Sequence, residues 1–199
     1  EDAVMLVINK PADFLSVPGK NIQDSVFSRI QQAYPEAKGG LIVHRLDMST
    51  SGLMLIALTK DAHKQLQKQF IKRTVKKRYV ALLDGLLEAD SGEIDLPLRL
   101  DIDDRPRQLV CYEHGRVATT HWEVIARNNN QTKVYFYPLT GRTHQLRVHS
   151  AHEQGLNAPI VGDDLYGTQS ERLHLHAEWV EFNHPVTKEL MSFQVDAGF

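Results

Sequence analysis

The sequence predicts an α+β domain built around a largely antiparallel mixed sheet flanked by helices and loops. Three observations carry that expectation. Strand-like segments clearly outnumber helical ones, neighbouring strands are joined by short links, and the chain has no internal repeat or low-complexity linker. With 199 residues there is ample length for a core, and we expect one domain over 1–199.

The elements follow in order. Residues 4–8 form a short apolar run ended by Asn9-Lys10-Pro11, a strand entering a loop that extends to about Gly19. Over 24–34, Val26, Phe27, Ile30 and Tyr34 recur at helical spacing, and Pro35 closes the segment. Residues 41–43 and 53–58 are strand-like, with "HRLD" between them. Thr59 and Asp61 can cap a helix whose Leu66 and Phe70 face inward while its lysines face out. Residues 79–83 are another apolar strand. Residues 119–126 and 132–139 have strand composition, and the "RNNNQ" between them predicts a hairpin. Residues 143 to about 153 have a helical pattern, with Gly155 as a stop.

Composition narrows the function classes. Hydrophobic residues make up 42% and charged residues 24%, the balance of a globular protein in water. No apolar stretch approaches the roughly 20 residues that a membrane helix needs. The start, Glu1-Asp2-Ala3-Val4, lacks the basic-then-apolar pattern of a signal peptide, so we expect a cytoplasmic chain trimmed at its start, without a membrane partner. The single cysteine, Cys111, cannot form an internal disulfide and argues against a cysteine-based metal site.

The net charge is only −2, yet charge is sorted along the chain. Residues 60–78 hold eight basic side chains against Asp61, a net +7, and residues 84–104 hold eight acids against Arg99, a net −7. A local basic stripe can bind a polyanion inside a near-neutral protein; a solvated helix face is the competing reading.

Asp47 poses the chemical question. It stands in a loop after a strand, where a scaffold can hold a side chain exposed yet fixed, and a carboxylate is buried only with partners or for a purpose. Further on, "PLTGRTHQLRVHSAHEQG" gathers Arg142, His144, Arg147 and His149 within eight residues. The alternatives to Asp chemistry fare poorly. The ten histidines match no zinc spacing and no HExxH, so no metal is expected. There is no GxSxG nucleophile elbow and no GxxxxGK[ST] phosphate loop. A paired-carboxylate glycosidase would need a second acid that nothing singles out. A lone Asp with arginines and aromatics remains, beside a basic helix.

The chain resembles the RluA family of RNA pseudouridine synthases over essentially its whole length. "LVINKPADFLSVPG", "HRLDMSTSGLMLIALTK", "KKRYVALLDG", "DDRPRQLVCYEHGRVATTHWEV", "GRTHQLRVH", "PIVGDDLYG" and "LHLHAEWVEFNHP" are similar to family segments and occur in family order. The likeness is strongest to compact members that modify large-subunit ribosomal RNA and transfer RNA. The resemblance implies the pseudouridine synthase fold, and as partner 23S ribosomal RNA and/or a transfer RNA stem-loop, bound by a monomer. It also implies isomerisation of uridine to pseudouridine. That reaction breaks the bond from the anomeric ribose carbon to the ring nitrogen, turns the uracil and rejoins it through carbon 5. Atoms are conserved, so no cofactor is expected.

The resemblance also implies roles. Asp47 is the catalytic carboxylate, whether it attacks the ribose, attacks carbon 6 of the base or stabilises developing positive charge. Arg147 is its counter-ion, keeping it ionised while partly desolvated. Tyr79 stacks on the uracil and its hydroxyl can help move a proton; a sheet-core tyrosine is the plainer reading. The target uridine must leave its stack, and Arg45 fills the vacated place or holds the flipped nucleotide's phosphate. Leu175 sits against the base, though core packing accounts for it as well. His44 orients the loop by hydrogen bonding and is grouped with the RNA-contacting side chains, not the catalytic ones. That group also includes Lys64, Lys68, Lys72, Lys76 and Lys77 of the stripe, with Arg105, Arg107, Arg142 and His144. Two other classes compete: an inert RNA-binding domain of the same fold, and an Asp-dependent nucleoside or glycoside hydrolase.

Overall fold

The computed structural model describes every residue, Glu1–Phe199, as ten strands and three helices. The chain divides into two compact units: Glu1–Lys77 with Ala177–Gly198, and Arg78–His176 with Phe199.

In the first unit the strand order is β1 (Met5–Lys10), β2 (Ser51–Ala57) and β9 (Leu175–Asn183), with β10 (Leu190–Gln194) paired to β9. β2 is buried at every position, which its near-continuous apolar run suits. Gly52, at φ +116°, opens it: a Cβ there would run into the backbone of Ala177, so only glycine lets β9 lie this close. Helix α1 (Val26–Ala33) starts at Ser25, whose hydroxyl accepts from Ser28 N in a capping box. Helix α2 (Lys60–Ile71) starts at Thr59, whose hydroxyl accepts from Ala62 N at 3.2 Å, and it buries Ala62 and Leu66. Leu66, Leu55, Val180 and Phe182 belong to one apolar cluster, with Phe70 packed on it.

The second unit holds the antiparallel run β3 (Lys76–Asp84), β8 (Gln131–Pro138), β7 (Thr119–Asn128) and β4 (Ser91–Asp95), with a two-stranded β5 (Leu98–Leu100) and β6 (Gln108–Val110). β7 and β8 form the expected hairpin. Asn128 pairs with Gln131, and Asn129 and Asn130 between them take φ of 50° and 60°, as a type I′ turn requires. Phe136, Val134, Leu83 and Trp122 centre the core here, and Leu146 of α3 (Gln145–Ala151) joins it.

The model departs from the sequence reading at several elements. Residues 41–43 are not a strand but a single bridge, Ile42 to Ile56, because the chain turns away into the loop. Helix α3 is shorter than 143–153, since His144 before it is left-handed at φ 52°. β4 within the acidic run, the short β5 and β6, and β9 and β10 lay outside the periodicity reading; His176 and Glu178 interrupt the apolar alternation of β9.

Candidate active site

The site is built on the end of the β1/β2 pair. Their register sets Lys10 opposite Gly52, so the Lys10 side chain emerges beneath the loop 44–50 that leads into β2. Lys10 is fully buried. Its ammonium donates to three carbonyls: Phe14 O at 2.7 Å, Pro11 O at 2.8 Å and Met48 O at 3.0 Å. One cation thus ties the loop after β1 to the residue following Asp47.

Two further anchors hold the same loop. Ser16, also buried, donates its hydroxyl to Leu46 O at 2.6 Å and accepts from Leu46 N at 3.2 Å. Ser16 is fixed in turn, because its own carbonyl accepts from Phe27 N at the start of α1. His44 Nε2 accepts from Leu55 N at 2.9 Å, and its ring stacks on Phe70 with centroids 4.6 Å apart. Burial, with the Lys77 charge, pushes His44 down to about 3, so it is neutral and can accept. Thr50 N closes the loop on Asp47 O at 3.1 Å.

Asp47 therefore sits in a backbone pinned at residues 44, 46 and 48. Its carboxylate is half-buried and takes no hydrogen bond from the loop around it, while Arg45 is exposed and Leu46 between them is buried. Within this unit its electrostatic partner is Lys10. Burial lowers the Lys10 ammonium to about 8, and the negative charges of Asp13 and Asp47 oppose that fall. An accessible carboxylate on a rigid loop beside a buried cation can serve as a nucleophile or as a stabiliser of positive charge.

The basic stripe is partly separated by the structure. Lys64 and Lys68 lie exposed on α2 and Lys72 exposed at its end, spaced four residues apart on one face. Lys76 is taken up by Glu181 at 2.8 Å, and Lys77 is half-buried, its ammonium lowered to about 8 by burial.

In the second unit Arg147 is almost fully buried on α3. Its Nε donates to Asp163 Oδ2 at 2.9 Å, and its terminal nitrogen to Asp163 Oδ1 at 2.5 Å and Asp164 Oδ1 at 2.8 Å. Asp163 is itself held, Oδ1 accepting from Leu165 N and Tyr166 N at 3.0 Å each. Tyr166 places its ring 5.3 Å from the Arg147 guanidinium, and its hydroxyl bonds His144 Nδ1 at 2.8 Å and accepts from Gln108 N at 2.7 Å. His144 is accordingly buried. Tyr79, half-buried on β3, pairs with Phe136 across the strands and packs on the core. Leu175 is also a core residue here, 3% exposed in the same cluster as Phe136. Arg105 is exposed; Arg107 pairs with Asp104 at 3.1 Å; Arg142 donates to Val117 O at 2.9 Å.

Lys10, Ser16, Asp163 and Asp164 escape a reading of residue types. The lysine closes "VINK" as if it were an ordinary strand end, and the paired acids of "GDDLYG" lie sixteen residues and more from the arginine they hold. The helix "QLRVHS" is the one available signal, since a helix that carries Gln145, Arg147 and His149 and is wholly buried must satisfy them internally.

Comparison with known proteins agrees with this architecture. A family model described as RNA pseudouridylate synthase matches residues 4–152. The dual-specificity RNA pseudouridine synthase RluA of Haemophilus ducreyi is 48% identical over 209 residues, covering 100% of this chain and 91% of the relative. The protein of the same name from Escherichia coli is 44% identical over 207 residues, covering 100% and 92%. Among solved structures, human RNA pseudouridylate synthase domain containing 1 superposes with a TM-score of 0.81 at 28% identity, covering 98% of this chain and 81% of the other. A matched family model over most of the chain, near-half identity across its full length and a shared fold place this chain in the RNA pseudouridylate synthase family.

Proposed function

We propose that residues 1–199 act as one catalytic domain that isomerises uridine to pseudouridine in large-subunit ribosomal RNA and transfer RNA stem-loops, as a cytoplasmic monomer. The observation that carries this reading is the Asp47 loop: three separate anchors fix its backbone, and the half-exposed carboxylate is left for a substrate. No helix is long and apolar enough to cross a membrane. The two bacterial relatives are named dual-specificity RNA pseudouridine synthases, which supports more than one RNA as substrate.

In this mechanism a flipped uridine meets Asp47, which attacks the ribose or the base, or steadies positive charge as the glycosidic bond breaks. Lys10 lends positive potential from the same unit, and Arg147 is the counter-ion that the family motif assigns. Tyr79 stacks on the uracil. Arg45, exposed on the Asp47 loop, holds the flipped nucleotide or fills its place. Lys64, Lys68 and Lys72 meet phosphates, so affinity falls steeply with salt.

The test is carbodiimide mapping of pseudouridine by reverse-transcription stops, on unmodified ribosomal and transfer RNA transcripts treated with the parent or Asp47→Asn. Stops are expected with the parent and none with the variant, whose melting point stays near the parent's because its carboxylate supports no loop hydrogen bond. Binding without stops would favour an inert RNA-binding domain, and release of free uracil a hydrolase.

A further inference from the structure

The last turn of α2 and the turn between β9 and β10 border an open, shallow groove of about 400 Å³, entirely within the first unit. Its lining is Gln65, Lys68, Gln69, Lys72, Asn183 and Lys188: three ammonium groups, three amides and no carboxylate. We propose that this groove is a phosphate-binding subsite for the RNA backbone, apart from the residues that meet the target uridine. The proposal rests on the RNA-modifying reading and extends it from Lys68 and Lys72 of the basic stripe to Lys188, which no motif marks.

The groove is built, not incidental. Gln69 clasps Asn183 twice, Nε2 donating to Asn183 O at 2.7 Å and Oε1 accepting from Asn183 N at 2.9 Å, which locks the two walls together. The far wall is a turn set by buried His184, whose Nδ1 accepts from Thr187 N at 3.0 Å and whose Nε2 meets Asp2 at 2.8 Å. Lys188 takes a left-handed φ of 66° in that turn, and its ammonium donates to Pro185 O at 2.5 Å. The neighbouring acid, Glu189, accepts from the Thr187 hydroxyl at 3.1 Å.

Three like charges converging without a carboxylate call for an anion. The carbonyl end of α2 accounts for Lys68 and Lys72, since cations are favoured at a helix C-terminus. It does not account for Lys188, which comes from another element. None of the three is in an ion pair, whereas Lys76 nearby is neutralised by Glu181. Lysines bind phosphate as point charges, and flanking amides can add neutral donors. The helix that carries the groove also touches the Asp47 loop, since Phe70, next to Gln69, stacks on His44.

The test compares the parent with Lys72→Gln, Lys188→Gln and the double variant, using a fluorescent transfer RNA stem-loop transcript and anisotropy titrations at several salt concentrations. Each single change is expected to weaken Kd about three- to ten-fold, and the double variant to lower the slope of log affinity against log salt by about one. The double loss is expected to be smaller than the product of the singles, because both lysines hold one phosphate. Lys20→Gln with Lys38→Gln, exposed elsewhere on this unit, is the charge-matched control. Melting curves of all variants report folding. Unchanged Kd in the double variant, or an equal loss in the control, overturns the proposal. Inorganic phosphate should compete with RNA beyond a chloride control of equal ionic strength in the parent and not in the double variant, and equal competition in both overturns the proposal. The mapping experiment separates the two readings: pseudouridine formed with no groove effect sinks only this inference, and a groove effect without pseudouridine sinks only the reaction.

Discussion

The Lys10 ammonium lies 3.0 Å from the carbonyl of Met48, so the last residue of β1 holds the residue after Asp47 in place. The same nitrogen carries a positive charge that Asp47 feels, which makes Lys10 both a strut and an electrostatic neighbour.

Replacing Lys10 by Met separates these contributions. Three carbonyls lose a charged donor in a buried place, and the expected cost is about 3 kcal/mol in urea unfolding. Turnover should fall at least about ten-fold, with RNA affinity less affected. In the parent, turnover should decline as pH rises through about 8, where the ammonium loses its proton, and that limb should be absent from Lys10→Met.

Ser16→Ala removes both hydrogen bonds to Leu46 while leaving every charge untouched. We expect a loss of about 1–2 kcal/mol in stability. A looser Asp47 backbone should lower kcat several-fold and leave KM near the parent value. Equal kcat in the two proteins would show that the Leu46 clamp is irrelevant to turnover.

Arg147→Met leaves Asp163 buried without its cation, a situation that costs about 3–5 kcal/mol. A loss of less than about 1 kcal/mol in chemical denaturation would mean that Asp163 finds another donor.

Acid should destabilise the protein above the range where carboxylates titrate. His44 falls to about 3 and His149 to about 4, both through burial, against about 6.5 when unfolded. The unfolded chain thus binds more protons between about pH 4 and 6.5, and stability is lost as pH falls through that window. The slope should approach about 1.4 kcal/mol per pH unit for each histidine. Asp2, whose carboxyl is lowered by backbone bonds from Val4 and Met5 with His184 assisting against burial, acts only below its ordinary value and outside the window. Urea midpoints from pH 7 to 4.5 measure the slope, and His149→Gln should halve it.

What the sequence made legible was local. The apolar run of β2, the Thr59 cap of α2 and the Asn129-Asn130 turn each follow from neighbours in the chain. Asp47 could be singled out because it stands in a short charged loop between two strand-like apolar runs. The supports of that loop were not legible, since Lys10 and Ser16 act across about thirty residues or more and look like any strand-end lysine or loop serine. The Arg147 clamp was hidden for the same reason, and Leu175 shows the converse: an apolar residue in a functional motif whose burial only packing could reveal.

The first unit draws on both ends of the chain, Glu1–Lys77 and Ala177–Gly198. Synthesis runs from the N-terminus, so β1, β2 and the Asp47 loop leave the ribosome long before β9 arrives to cover Gly52 and supply Val180 and Phe182. Until then β2 lacks one neighbour and its apolar face is exposed, a state prone to mispairing. The Asp47 anchors therefore form on a β2 whose cover waits for residues 177–198, and a chain stalled before them is expected to be a client for chaperones before it is a catalyst.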